Sequence, residues 1–136
     1  MRKLLFSLAA LALAIPVVAQ DAVKVDPKHY TVVTENDQVR VLRAKYGPHE
    51  KSVMHSHPAT VAVFLTDGSV KFSYPDGKSE DVALKARDAQ YRPAITHLPE
   101  NTGDKAFEVV VVELKGKSAG ATSSGRKNAG KPAKKM

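Results

Sequence analysis

From residue 39 to residue 114 the apolar side chains recur with the period of strands, and five prolines (Pro48, Pro58, Pro75, Pro93 and Pro99) leave no room for a long helix. Val39, Val41 and Arg43 alternate with Arg40, Leu42 and Ala44. Further strands are expected over residues 53–57, 60–65, 70–74, 82–84, 90–92 and 107–114. Thr66-Asp67-Gly68-Ser69 and Pro75-Asp76-Gly77-Lys78 supply turns, the second with proline and glycine in the order that tight turns favour. Phe107 to Val112 is apolar on both faces, as suits a strand at the centre of a sandwich. Short strands at this spacing predict an all-β domain, an antiparallel sheet that is closed or sandwiched.

The ends of the chain are different in kind. Arg2 and Lys3 precede an apolar run from Leu4 to Ile15, Pro16 closes it, and Val17-Val18-Ala19 offers small residues before Gln20. That pattern predicts a signal helix over residues 1–19, removed after Ala19, and export to the periplasm or beyond the cell. Residues 115–136 hold seven Lys and Arg, no acid and almost no apolar side chain. Such a segment cannot offset its ordering entropy and is expected to be a disordered basic tail. Its expected role is solubility, with weak contact to an anionic surface as the alternative. Residues 20–114 are then the single folded domain, well within what one core supports.

The formal charge of +7 comes from 21 basic and 14 acidic residues, but the excess belongs to the ends. Setting aside the two bases of residues 1–19 and the seven of residues 115–136 leaves 12 bases against all 14 acids. A basic pI therefore gives no support to specific nucleic-acid binding, and no aromatics interleave with the lysines. The absence of cysteine excludes disulfides, thiolate zinc sites, iron–sulfur clusters and a cysteine nucleophile. Phosphate-binding glycine loops, GxSxG and HExxH are absent too.

All five histidines lie in the body of the chain. His55 and His57 are two apart on an expected strand, so both project from one face, and the neighbouring Val53 and Val61 suggest that this face points inward. Two imidazoles buried side by side are costly unless something satisfies their lone pairs, and a divalent transition metal (Fe, Zn, Ni, Cu or Mn) does so for both at once.

These residues resemble the cupin family. The stretch from Pro48 to Pro58, with Gly68 following, is similar to the first cupin motif, in which a glycine, HxH, a glutamate and a second glycine follow at fixed spacing. Residues 87–101 are similar to the second motif, with Pro93, His97 and Asn101 matching and Arg87 in the place of a glycine. The resemblance implies a small jelly-roll β-barrel with a metal held by His55, His57 and His97, and it suggests a homodimer. The sequence departs from the pattern where the family has its glutamate ligand, since Val61 and Ala62 stand there, and His49 stands where the family has glycine. Three neutral histidines would leave the ion its full charge, a stronger Lewis acid and a better trap for anionic, chelating molecules.

The remaining candidates divide by position. His49 is expected on a surface loop, with a place beside the metal as the alternative; His29 is expected to be structural or exposed. Glu113 shares strand parity with Val109 and Val111 but lies near a strand end, so it is expected to reach solvent, with an inward place as the missing carboxylate ligand or as a support for one of the histidines as the alternative. Of the adjacent Tyr91 and Arg92 one must face inward, and the expectation is Tyr91 in the pocket wall and Arg92 in solvent. The expected function is an exported metal-binding barrel acting on a small oxygen-rich molecule by oxygenase or isomerase chemistry. The alternative is a barrel that captures a small ligand without turning it over.

Overall fold

The computed structural model describes residues 20–116. The signal segment expected over residues 1–19, and the tail from residue 117 onward, lie outside the described residues. Asp21 caps a short helix, α1 (Ala22–Val25), by accepting hydrogen bonds from the backbone of Val23 and Lys24. Nine strands follow: β1 (Tyr30–Glu35), β2 (Val39–Tyr46), β3 (His55–His57), β4 (Thr60–Phe64), β5 (Gly68–Ser73), β6 (Ser79–Leu84), β7 (Ala89–Arg92), β8 (Ile95–Asn101) and β9 (Phe107–Leu114).

The strands form two antiparallel sheets, ordered β1-β2-β9-β4-β7 and β3-β8-β5-β6. Their apolar faces meet in a core of Tyr30, Leu42, Ala44, Tyr46, Phe64, Val70, Leu84, Phe107, Val109 and Val111, with Ala22 packed at one end. The architecture is the small jelly-roll barrel that the sequence led us to expect. The apolar run of β9 lies at the centre of the larger sheet, between β2 and β4. Phe107, Val109, Val111 and Glu113 form its inward face.

Two strands lack a counterpart in the sequence reading. β1 is a sheet edge whose residues after Tyr30 are exposed, so it has no apolar alternation to detect. β8 contains Pro99, which argues against a central strand because proline donates no ladder bond. Here β3 covers only Ile95 to His97, so the ladder to β3 has already ended where Pro99 falls. Beyond it, the Pro99 carbonyl accepts from the Ser52 backbone. The expected strand over residues 53–57 is shorter than predicted: only His55–His57 is extended, and Val53 is exposed.

The motif positions that lack their glycines are informative. His49 (φ 58°) and Arg87 (φ 76°) are the two non-glycine residues with positive φ among the described residues. The backbone conformation that glycine adopts without strain is thus retained, and histidine and arginine bear its cost. Asn101, fully buried, holds the loops at this end of the barrel. Its amide donates to the carbonyls of Gly47 and Lys105, each at 2.8 Å, and its oxygen accepts from the Gly103 backbone.

Candidate metal centre

His55 and His57 enter the barrel from β3, and the antiparallel pairing of β3 with β8 puts His97 directly opposite His55. His55 is fully buried, His57 nearly so and His97 half-buried. One ring nitrogen from each lies within 4.8 Å of the other two. The ring centroids are 4.9 to 5.5 Å apart and the planes nearly perpendicular, at 82–89°. The rings therefore meet edge to face around one point.

Hydrogen bonds fix which nitrogen two of the rings present. His55 Nδ1 donates to the Val53 carbonyl at 2.8 Å, which leaves the lone pair on Nε2. His57 Nδ1 donates to Glu113 Oε1 at 2.7 Å, with the same result. Two buried atoms, His55 Nε2 and His97 Nε2, have no hydrogen-bond partner among the described residues. An unpaired buried nitrogen costs on the order of 1–3 kcal/mol, so two together call for an explanation. A metal ion satisfies both, and the neutral imidazoles fit it chemically.

The electrostatics favour that state. Burial, reinforced by the neighbouring imidazoles, lowers His55 to about 4 and His97 to about 2. Both rings are neutral at pH 7, with lone pairs available. The consequence for stability has a definite sign. The unfolded chain takes up protons on these histidines below the ordinary value of 6.5, whereas the folded protein resists doing so. Metal-free protein is therefore expected to keep its stability above pH 6.5 and to lose more than about 1 kcal/mol per pH unit between pH 6 and 4. Urea unfolding at a series of pH values reads this directly, and a flat midpoint across that window would contradict it.

A second layer supports the rings. Glu113, which strand-end position suggested would reach solvent, is instead almost wholly buried and braces His57. Its other oxygen accepts from Arg40 Nε at 2.6 Å, and Arg40 also reaches Asp21 at 2.5 Å. Burial pushes the Glu113 carboxyl up, but the hydrogen bonds from His57 and Arg40 outweigh it and hold the group below its ordinary value. Register explains the contact, since Arg40 and Glu113 are directly paired across β2 and β9. On the other side, Ser52 hydrogen-bonds to Asp26 and lies 3.3 Å from His55 Nδ1. Asp26 also accepts from His29, whose other nitrogen meets Glu50 at 3.1 Å. His29 is thus a buried structural residue, stacked 4.3 Å from the Tyr46 ring. His49 stands apart, exposed and paired with Asp104 at 2.8 Å.

A cavity of about 80 Å³ opens beside the histidines, lined by His57, His97, Tyr30, Phe72 and Arg92 among others. The expected placement of Tyr91 and Arg92 is reversed. Tyr91 is 64% exposed, and Arg92 lines the cavity. The phase follows from pairing: Arg92 lies opposite Thr60, a buried residue of β4, and Tyr91 lies opposite Val61.

The family pattern described as "Cupin domain" matches residues 42–113, more than half of the chain, and the protein belongs to the cupin family. A cupin domain from Bordetella pertussis Tohama I is 28% identical with a TM-score of 0.60, covering 64% of this chain and 92% of its own. A protein with a double-stranded β-helix domain from Klebsiella pneumoniae is 24% identical with a TM-score of 0.53, covering 65% of this chain and 76% of its own. An RmlC-like cupin from Methanocaldococcus jannaschii, 13% identical, shares the fold with a TM-score of 0.50 over 62% of this chain and 77% of its own. No curated protein is matched.

Proposed function

We infer that this cupin holds one divalent transition-metal ion on His55, His57 and His97 and acts there on a small oxygen-rich molecule outside the cytoplasm. The observation that carries the reading is the pair of buried, partnerless Nε2 atoms on His55 and His97 beside a third imidazole. A divalent ion at this point supplies a Lewis acid with positions open to a chelating ligand. The chain's own part is to present the nitrogens. The Val53 carbonyl orients His55, Glu113 orients His57, and Arg40 keeps Glu113 in place. The apolar cavity receives the body of the ligand.

Oxygenase or isomerase chemistry is the leading reaction class. Capture of a ligand without turnover is the second reading, favoured by a cavity lining that, among the described residues, offers no carboxylate to move a proton. Elemental analysis of protein purified without a histidine tag tests the metal: we expect about one equivalent per chain after loading. Less than about a tenth of an equivalent with Fe, Zn, Ni, Cu and Mn alike refutes the centre. Oxygen uptake or a spectral change with diketone, catechol or flavonol substrates then separates turnover from capture.

Export rests on the sequence of residues 1–19, and the first residue of the mature protein tests it. A homodimer would cover the outer row formed by Val41, Val112, Val61 and Tyr91 across four strands. Light scattering that returns the mass of a single chain opposes it. Contact of the basic tail with an anionic surface is tested by deleting residues 115–136.

A further inference from the structure

Among the described residues, Arg92 is the one charged residue in the lining of the cavity, and no acidic side chain shares that lining. Its guanidinium lies 5.6 Å from the centre of the Phe72 ring, and Phe72 in turn stacks on His97 at 5.1 Å and 10°. A column of His97, Phe72 and Arg92 therefore runs from the histidine cluster along one wall. Among the described residues Arg92 has no carboxylate partner, and its one side-chain hydrogen bond goes to the neutral Gln90 at 3.1 Å. Elsewhere in the core the pattern is different: Arg40 is tied to both Glu113 and Asp21.

A guanidinium carries five N–H donors in a planar fork, and a half-buried cation without a counter-charge is unfavourable. The fork matches the two oxygens of a carboxylate. Next to it the walls are apolar, with Phe72, Ile95, Ala62 and Val109 among them. We propose that the ligand of this cavity is a small carboxylate with a compact apolar body and an oxygen donor at its far end, the carboxylate held by the Arg92 fork and that donor directed at the three histidines. The cavity volume of about 80 Å³ limits that body to roughly the size of one ring or a short branched chain. The assignment deepens the metal-centre reading and rests on it only for what the inner end of the ligand meets.

Benzoate and its neutral isostere benzamide, titrated calorimetrically into the full-length chain loaded with zinc, provide the test. We expect benzoate to bind at least about tenfold more tightly than benzamide, as a charge-assisted fork allows. Arg92→Gln should weaken benzoate by at least about tenfold and benzamide by less than about twofold, the latter serving as the control for folding. Arg92→Lys, which keeps the charge and loses the fork, should fall between. Benzoate bound equally by wild type and Arg92→Gln places the carboxylate on the zinc and overturns the assignment. So does a wild type that shows no preference for benzoate, or binds neither compound. Zinc content measured on the same samples keeps the two readings apart. Arg92-dependent benzoate binding in protein that retains no zinc would leave the carboxylate site standing and count only against zinc as the ion of the centre.

Discussion

Replacing His55 and His57 together by alanine is expected to reduce bound metal from about one equivalent per chain to less than about a tenth. The two rings supply two of three candidate nitrogens, and one remaining imidazole cannot hold an ion against water and buffer. The loss should appear equally in stability. An ion that binds only the folded chain adds about 2.7 kcal/mol when present at a hundred times its dissociation constant, roughly 10 °C or more in Tm for a domain this size. In the double variant that metal-dependent rise should vanish. His49→Ala is the matched control, because His49 is exposed and paired with Asp104, and its metal content and Tm shift should equal those of the wild type. A double variant that still retained near-stoichiometric metal would place the ion elsewhere.

Glu113 should give the largest effect of any residue outside the three rings. Its carboxylate is nearly inaccessible and accepts from both His57 Nδ1 and Arg40 Nε. Glu113→Ala removes both interactions and leaves a half-buried guanidinium with Asp21 alone. The expected cost is about 3 kcal/mol, the lower end for breaking a buried pair because Asp21 persists. Glu113→Gln separates orientation from charge. The amide oxygen can still accept from His57, so the fold should survive, while zinc affinity should fall by about 10- to 100-fold as the ring loses its anionic partner. Urea midpoints and zinc titration read the two effects separately. Zinc bound as tightly by Glu113→Gln as by wild type would show that Glu113 serves the fold alone.

The sequence exposed the parts of this molecule that repeat or that combine unusual residues. The strands with alternating or continuous apolar faces were legible, β9 above all; the spacing of His55 and His57 pointed to a pair of rings on one face, and the resemblance to the second cupin motif added His97, which β8 brings to them. Less visible were features that depend on register. Whether Tyr91 or Arg92 faces inward turns on pairing with Thr60 and Val61, and a shift of one residue reverses the answer. Glu113 looked like a surface charge because its partner, Arg40, lies 73 positions away. One sign was available: Arg40 is in phase with the buried Leu42 and Ala44, as Glu113 is with Val109 and Val111. Two opposite charges in phase with core residues on expected strands are a hint of a buried pair. Asp26, Ser52 and His29 carried no such signal, since they lie outside the strands and meet only in the folded chain.

Convergence of three imidazoles on one ion is the claim on which the rest depends, and X-ray absorption on zinc-loaded full-length protein tests it most directly. We expect three imidazole nitrogens at about 2.0–2.1 Å, the usual zinc–histidine distance, with the remaining scatter from light oxygen donors. A spectrum that fits with one imidazole or none would contradict the centre itself.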